Sequence, residues 1–79
     1  MIAILDYGAG NLRSVELALH RLGAACVVTA DAAVAMAADG LILPGVGAFA
    51  DAMTALQNSG LIPALEHARD TNKPLLGIC

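Results

Sequence analysis

Short apolar runs constrain the fold of this chain more than any other feature of its 79 residues. They read IAIL at 2–5, CVV at 26–28, LIL at 41–43 and LLGI at 75–78. Successive residues of a strand point to opposite faces, so a run without polar residues is apolar on both. Such strands are typical of parallel sheets that helices cover on each side. The runs therefore predict parallel strands.

The segments between these runs carry helix signals. Asn11 is a suitable N-cap for a helix over 12–22, in which apolar residues recur every three or four positions as Leu12, Val15, Leu19 and Leu22. Asp31 suits the start of a short helix over 32–38. Further helices are predicted over 49–57 and 61–69, with Pro63 in the first turn of the later one.

Alternating strands and helices predict right-handed βαβ units, and hence an α/β fold with an open parallel sheet and flanking helices, as in flavodoxin-like domains. Hydrophobic residues make up 58% of the chain and charged residues 14%, compared with about 45–50% and about 25% in average domains. Four strands of such a sheet leave apolar surface open. We therefore expect residues 1–79 to form the N-terminal part of a single domain.

Charge and hydropathy argue against several classes of protein. The net charge is −3, and the four basic residues are scattered, which argues against a nucleic-acid partner. No stretch approaches the roughly 20 apolar residues of a membrane span. Asp6 interrupts the first apolar run, whereas a signal peptide has a continuous apolar region. Two distant cysteines do not form a disulfide scaffold, so we expect a cytoplasmic location.

Two glycine-containing segments follow predicted strands. Gly8-Ala9-Gly10 has the beginning of a dinucleotide fingerprint, but Arg13 stands where the third glycine belongs, so a tight turn is favoured and no cofactor is expected. Pro44-Gly45-Val46-Gly47 is compatible with a backbone cradle whose amide N–H groups bind an oxyanion, or with a plain turn. The residues alone leave these two interpretations open.

Cys79 follows a predicted strand whose penultimate position is occupied by a glycine. This resembles half of a nucleophile elbow, in which the nucleophile sits on a tight strand-to-helix turn, although a cysteine at a strand end is often only a packing residue. Cys26 is interpreted as an inert core residue. His20 and His67 are expected to face solvent, and no metal site is expected. Asp6 is a better candidate for a polar role at this edge of the sheet.

Three motifs together resemble one family. DYGAGNLRS at 6–14, LPGVGAF at 43–49 and KPLLGIC at 73–79 are similar to the glutaminase subunits of imidazole glycerol phosphate synthases, a branch of the class I glutamine amidotransferases. The resemblance covers the whole chain in the right order. The GIC ending is shared by many class I enzymes, whereas DYGAGNL points to the histidine-biosynthesis branch.

The resemblance implies a function for each motif. Cys79 matches the nucleophile that attacks glutamine and releases ammonia, and Pro44, Gly45, Val46 and Gly47 match the oxyanion loop, with Val46 as the expected N–H donor. The partner implied is a cyclase subunit with a β/α barrel, and Asn11 is the candidate interface residue. Family members continue beyond this point, where the His and Glu of the catalytic triad lie. We therefore expect the 79 residues alone to be inactive.

Two alternatives remain open at this stage. The chain could belong to the glutaminase part of another class I amidotransferase, which would have a different synthase partner. It could also be a non-catalytic flavodoxin-like binding or regulatory module, which would fold as a monodisperse protein without an exposed apolar face.

Overall fold

The computed structural model describes residues 1–8, 11–45 and 49–78, and in this part of the chain four strands alternate with helices. The strands are β1 (Ile2–Leu5), β2 (Cys26–Thr29), β3 (Gly40–Pro44) and β4 (Leu75–Ile78). The helices are α1 (Leu12–Arg21), α2 (Ala32–Ala37), α3 (Phe49–Asn58) and α4 (Ile62–Asp70). Each predicted element is therefore present, with ends shifted by one or two residues.

The strands form one parallel sheet in the order β2-β1-β3-β4. This is the order of flavodoxin-like folds, so the predicted fold class is confirmed. From β1 the chain first goes to β2 on one side and later to β3 on the other side. The winding direction thus reverses between β1 and β3, and ligands of open α/β sheets bind at the carboxyl ends of strands that flank such a switch point.

Local signals set the helix ends as the sequence predicts. The Asn11 Oδ1 accepts a hydrogen bond from the Ser14 amide at 3.2 Å, and the Asp31 Oδ1 accepts one from the Ala33 amide at 2.9 Å. Gly23 follows the end of α1 with a φ of +74°, a conformation that glycine adopts without steric cost. Each cap satisfies backbone groups that would otherwise lack a partner.

The main core lies on one face of the sheet. Ala3, Leu5 and Tyr7 alternate along β1 and its extension, and all three are buried against residues of α2, α3 and α4. α1 covers the opposite face next to β1 and β2. The prediction for the end of its apolar stripe was wrong, because Leu22 lies past the last helical residue and is 81% exposed.

The face of β3 and β4 on the α1 side is partly uncovered. A groove of about 260 Å³ lies there, lined mainly by apolar residues of the strands together with Leu19 of α1. On the edge strand β4, Leu75 is 49% exposed and Leu76 is 57% exposed. The expected open apolar surface is therefore present, and it lies at an unpaired strand edge that can associate with other chains.

Polar contacts tie together the N-terminal edge of the sheet. The N-terminal ammonium of Met1 lies 2.5 Å from Oδ2 of Asp39, and its hydrogen bond and positive charge lower the pKa of the Asp39 carboxyl. Lys73 Nζ donates to the carbonyl of Met36, joining the segment before β4 to the end of α2. These groups lie at the opposite edge from the predicted site. None of the helices in the described part of the chain is long and apolar enough to cross a membrane.

Candidate functional site

The ends of β3 and β4 lie side by side at the C-terminal edge of the sheet. Pro44 is the register partner of Ile78, and neighbouring strands are about 4.7–4.9 Å apart. Gly45, which is half-buried, follows Pro44, and Cys79 follows Ile78. The backbone therefore brings together the strand ends that lead into the predicted oxyanion loop and the predicted nucleophile. Val46, Gly47 and Cys79 themselves lie outside the described residues.

Tyr7 connects the end of a third strand, β1, to the end of β3. Its side chain is only 5% exposed, and its hydroxyl donates a hydrogen bond to the backbone carbonyl of Pro44. The contact therefore joins β1 to β3 across the switch point. Sequence reasoning did not single out Tyr7 as a site residue. The alternation of Ala3, Leu5 and Tyr7 could have indicated that the ring enters the core, but not which atom the hydroxyl reaches.

The turn after β1 is shaped by Asp6. The Asp6 amide donates to the Thr29 carbonyl at 2.9 Å, and its Oδ1 accepts from the Gly8 amide at 3.3 Å. Gly8 has a φ of +88°, which glycine adopts more readily than any residue with a side chain. Asp6 thus has the polar role expected at this edge, and the role is local: its carboxylate stabilises the turn after Tyr7.

Asn11 stands at the beginning of α1, on the same side of the sheet as these strand ends. The residue is exposed, and its side-chain oxygen caps the helix. Its predicted capping role is therefore confirmed. Its role as an interface residue remains a prediction.

The other ionisable residues do not form a second site in the part of the chain that is described. His20 is exposed as predicted, and no cluster of three potential metal ligands occurs among these residues. The prediction for His67 was wrong: it is half-buried, and its Nδ1 is buried without a hydrogen-bond partner. The free Cys26 is half-buried at the sheet edge in β2, so it is less enclosed than the predicted core residue.

Comparison with known proteins gives consistent matches along the whole chain. The chain is 54% identical over 79 residues to the protein named imidazole glycerol phosphate synthase subunit HisH from Bacillus cereus (strain AH187). It is 58% identical over 79 residues to the protein of the same name from Desulfitobacterium hafniense (strain DSM 10664 / DCB-2). No family model matches the chain.

These matches include all of this chain but only 38% and 37% of the two relatives, so the chain spans somewhat more than a third of their length. The matched region includes every strand and helix described above. Over all 79 residues, the chain is similar to the HisH subunits of imidazole glycerol phosphate synthases.

Proposed function

We propose that this chain carries the nucleophile and the oxyanion loop of a cytoplasmic glutaminase that supplies ammonia for imidazole glycerol phosphate synthesis in histidine biosynthesis. The single observation that supports it best is the pairing of Pro44 with Ile78. Because of this pairing, the loop that begins at Gly45 and the residue Cys79 follow adjacent positions at the C-terminal edge of the sheet. The names of the relatives support the choice of synthase.

The first chemical step is attack of the Cys79 thiolate on the side-chain amide carbon of glutamine. The carbonyl oxygen then carries negative charge, and the N–H of Val46 donates to it. The carbon–nitrogen bond breaks, the nitrogen takes up a proton and leaves as ammonia, and a thioester remains on the sulfur. Removing one such oxyanion donor costs on the order of 2.7–4 kcal/mol of transition-state stabilisation, so the conformation of the loop determines turnover.

The second step is hydrolysis of the thioester by water, which gives glutamate and restores the thiol. A His oriented by a Glu moves the protons in both steps, and the resemblance assigns both residues to the part of the family beyond residue 79. Ammonia passes to a cyclase subunit with a β/α barrel, which uses it to make imidazole glycerol phosphate. No cofactor takes part in this scheme.

The observations favour this proposal over the two alternatives. Another class I amidotransferase would share the ending at 77–79, but both relatives described above carry the name of a single synthase. A non-catalytic module should cover its apolar surface, whereas Leu75 and Leu76 are about half exposed.

Partner capture by a full-length version of the protein tests the proposal. We expect a tagged full-length chain containing residues 1–79 to co-purify with the cyclase of imidazole glycerol phosphate synthase. The complex should release glutamate from glutamine and form imidazole glycerol phosphate. Co-purification with the synthase component of another pathway, without the cyclase, would contradict the proposed pathway while leaving the glutaminase class intact.

Substitution of Asn11 separates its capping role from its proposed interface role. Asn11→Ala removes the acceptor for the Ser14 amide and should lower the free energy of unfolding by about 1 kcal/mol, whereas Asn11→Ser retains a capping oxygen and should change it by a few tenths. Both variants remove the side-chain amide group. Chemical denaturation of the full-length chain measures the first effect.

Both Asn11 variants should bind the cyclase about tenfold more weakly, equivalent to about 1.4 kcal/mol of binding free energy. Titration calorimetry of the two full-length subunits measures this loss. If Asn11→Ser binds the cyclase as tightly as the unaltered chain, Asn11 is a helix cap and not an interface residue.

A further inference from the structure

We infer that Tyr7 is a positioning residue for the oxyanion loop, because its hydroxyl holds the backbone carbonyl from which that loop begins. The inference rests on the proposed function and deepens it. Tyr7 contacts neither glutamine nor the reacting atoms in this scheme, and it acts through the backbone of Pro44 and Gly45.

The burial of Tyr7 makes its hydroxyl a fixed reference point. The ring is 5% exposed and belongs to the same buried cluster as Leu5 and residues of α2, α3 and α4. A ring enclosed in this way has little freedom to rotate or shift. The enclosed ring therefore restricts the movement of the Pro44 carbonyl oxygen, to which the hydroxyl donates.

Pro44 needs an anchor of this kind. It is the last residue of β3, and proline has no N–H group with which to donate a ladder hydrogen bond. Pro44 is nevertheless almost fully buried. A buried carbonyl needs a hydrogen-bond partner, because leaving it without one costs free energy. The Tyr7 hydroxyl supplies one such partner from the neighbouring strand end.

The contact lies where it bears most on the proposed chemistry. The peptide unit whose carbonyl belongs to Pro44 has its N–H on Gly45, one residue before the proposed donor Val46. A change in the orientation of this unit rotates the loop that follows. A misplacement of about 1 Å in a catalytic group reduces the rate by about a hundredfold.

The test is Tyr7→Phe in the full-length chain bound to its cyclase, since this change removes one oxygen and keeps the ring. We expect kcat for glutamine hydrolysis to fall about ten- to a hundredfold, with KM changed less than about twofold. Alkylation of Cys79 by iodoacetamide, which needs no oxyanion hole, should keep its rate within about twofold. Hydrogen exchange of a peptide containing residues 44–48 should become several-fold faster.

Thr71→Val is the matched control. The Thr71 hydroxyl also donates to a backbone carbonyl, that of His67 at 2.8 Å, but it lies after α4, near the other edge of the sheet. We expect this variant to retain kcat, KM and the exchange rate at 44–48. Thermal unfolding of both variants measures any general loss of stability.

The two levels of the proposal fail in different ways. Wild-type kcat in Tyr7→Phe, or unchanged exchange at 44–48, would overturn the role of Tyr7 while the glutaminase remains intact. Equal losses of kcat in Tyr7→Phe and Thr71→Val would also overturn it, because the effect would then be general. If the unaltered complex releases no glutamate, the proposed function itself fails, and the exchange rate still decides whether Tyr7 anchors Pro44.

Discussion

Cys79→Ala in a full-length chain, assayed as a complex with the proposed cyclase partner, is expected to lower glutamine hydrolysis by about 10⁴-fold or more. Alanine has no nucleophile, so the thioester cannot form. Loss of a nucleophile removes most of the acceleration that a catalytic triad provides, because its residues act as a unit. Glutamate release, measured by a coupled dehydrogenase assay, gives the rate of each variant.

The cysteine variant has two controls that separate loss of chemistry from loss of structure. Supplying an ammonium salt in place of glutamine should restore synthesis of imidazole glycerol phosphate to within about twofold of the unaltered complex, because the cyclase does not use Cys79. Cys26→Ala changes the other cysteine, which lies in β2, and should retain glutamine hydrolysis. Persistent glutamate release from Cys79→Ala would contradict the proposed mechanism.

Residues 1–79 tested alone provide a second comparison. Because the resemblance assigns the triad His and Glu to the part of the family beyond residue 79, we expect no glutamate release above that of the same segment carrying Cys79→Ala. Release above this control would show that the segment contains a sufficient set of catalytic groups.

The fold was predictable because its signals are local. IAIL at 2–5 and LIL at 41–43 are apolar on both faces, and burial on both faces is what a central parallel strand requires. The helix caps Asn11 and Asp31 act on amides two or three residues away. The helical periodicity of apolar residues gave a wrong prediction for Leu22. It placed Leu22 on the apolar stripe of α1, but the helix ends at Arg21 and Leu22 is exposed.

The candidate site was only partly predictable, because its key contact depends on strand order. Tyr7 and Pro44 are 37 residues apart, and they meet only because β1 lies next to β3 in the sheet. No local pattern encodes that adjacency. His67 illustrates the same limit: it precedes the buried Ala68 on α4, and it is half-buried with its Nδ1 enclosed. Residue type alone favoured a solvent-facing histidine.

Leu5→Ala should produce the largest loss of stability among the substitutions considered, about 2–5 kcal/mol in the free energy of unfolding of the full-length chain. Leu5 is fully buried in β1, which pairs with strands on both sides. Truncation removes apolar contacts, and the closely packed neighbours cannot fill the space completely. Urea denaturation should show a lower midpoint with an unchanged slope, as expected for a two-state loss of stability.

Leu22→Ala provides the matched comparison, because it makes the same chemical change at an 81% exposed position. The side chain has little apolar surface to lose from the core, so we expect a change within about 0.5 kcal/mol. Equal losses at both positions would contradict the assignment of Leu5 to the core beneath Tyr7. The difference between the variants also bears on the site, since the Leu5 cluster holds the Tyr7 ring. The fraction of Leu5→Ala protein that stays folded should therefore show faster hydrogen exchange at residues 44–48, whereas Leu22→Ala should not.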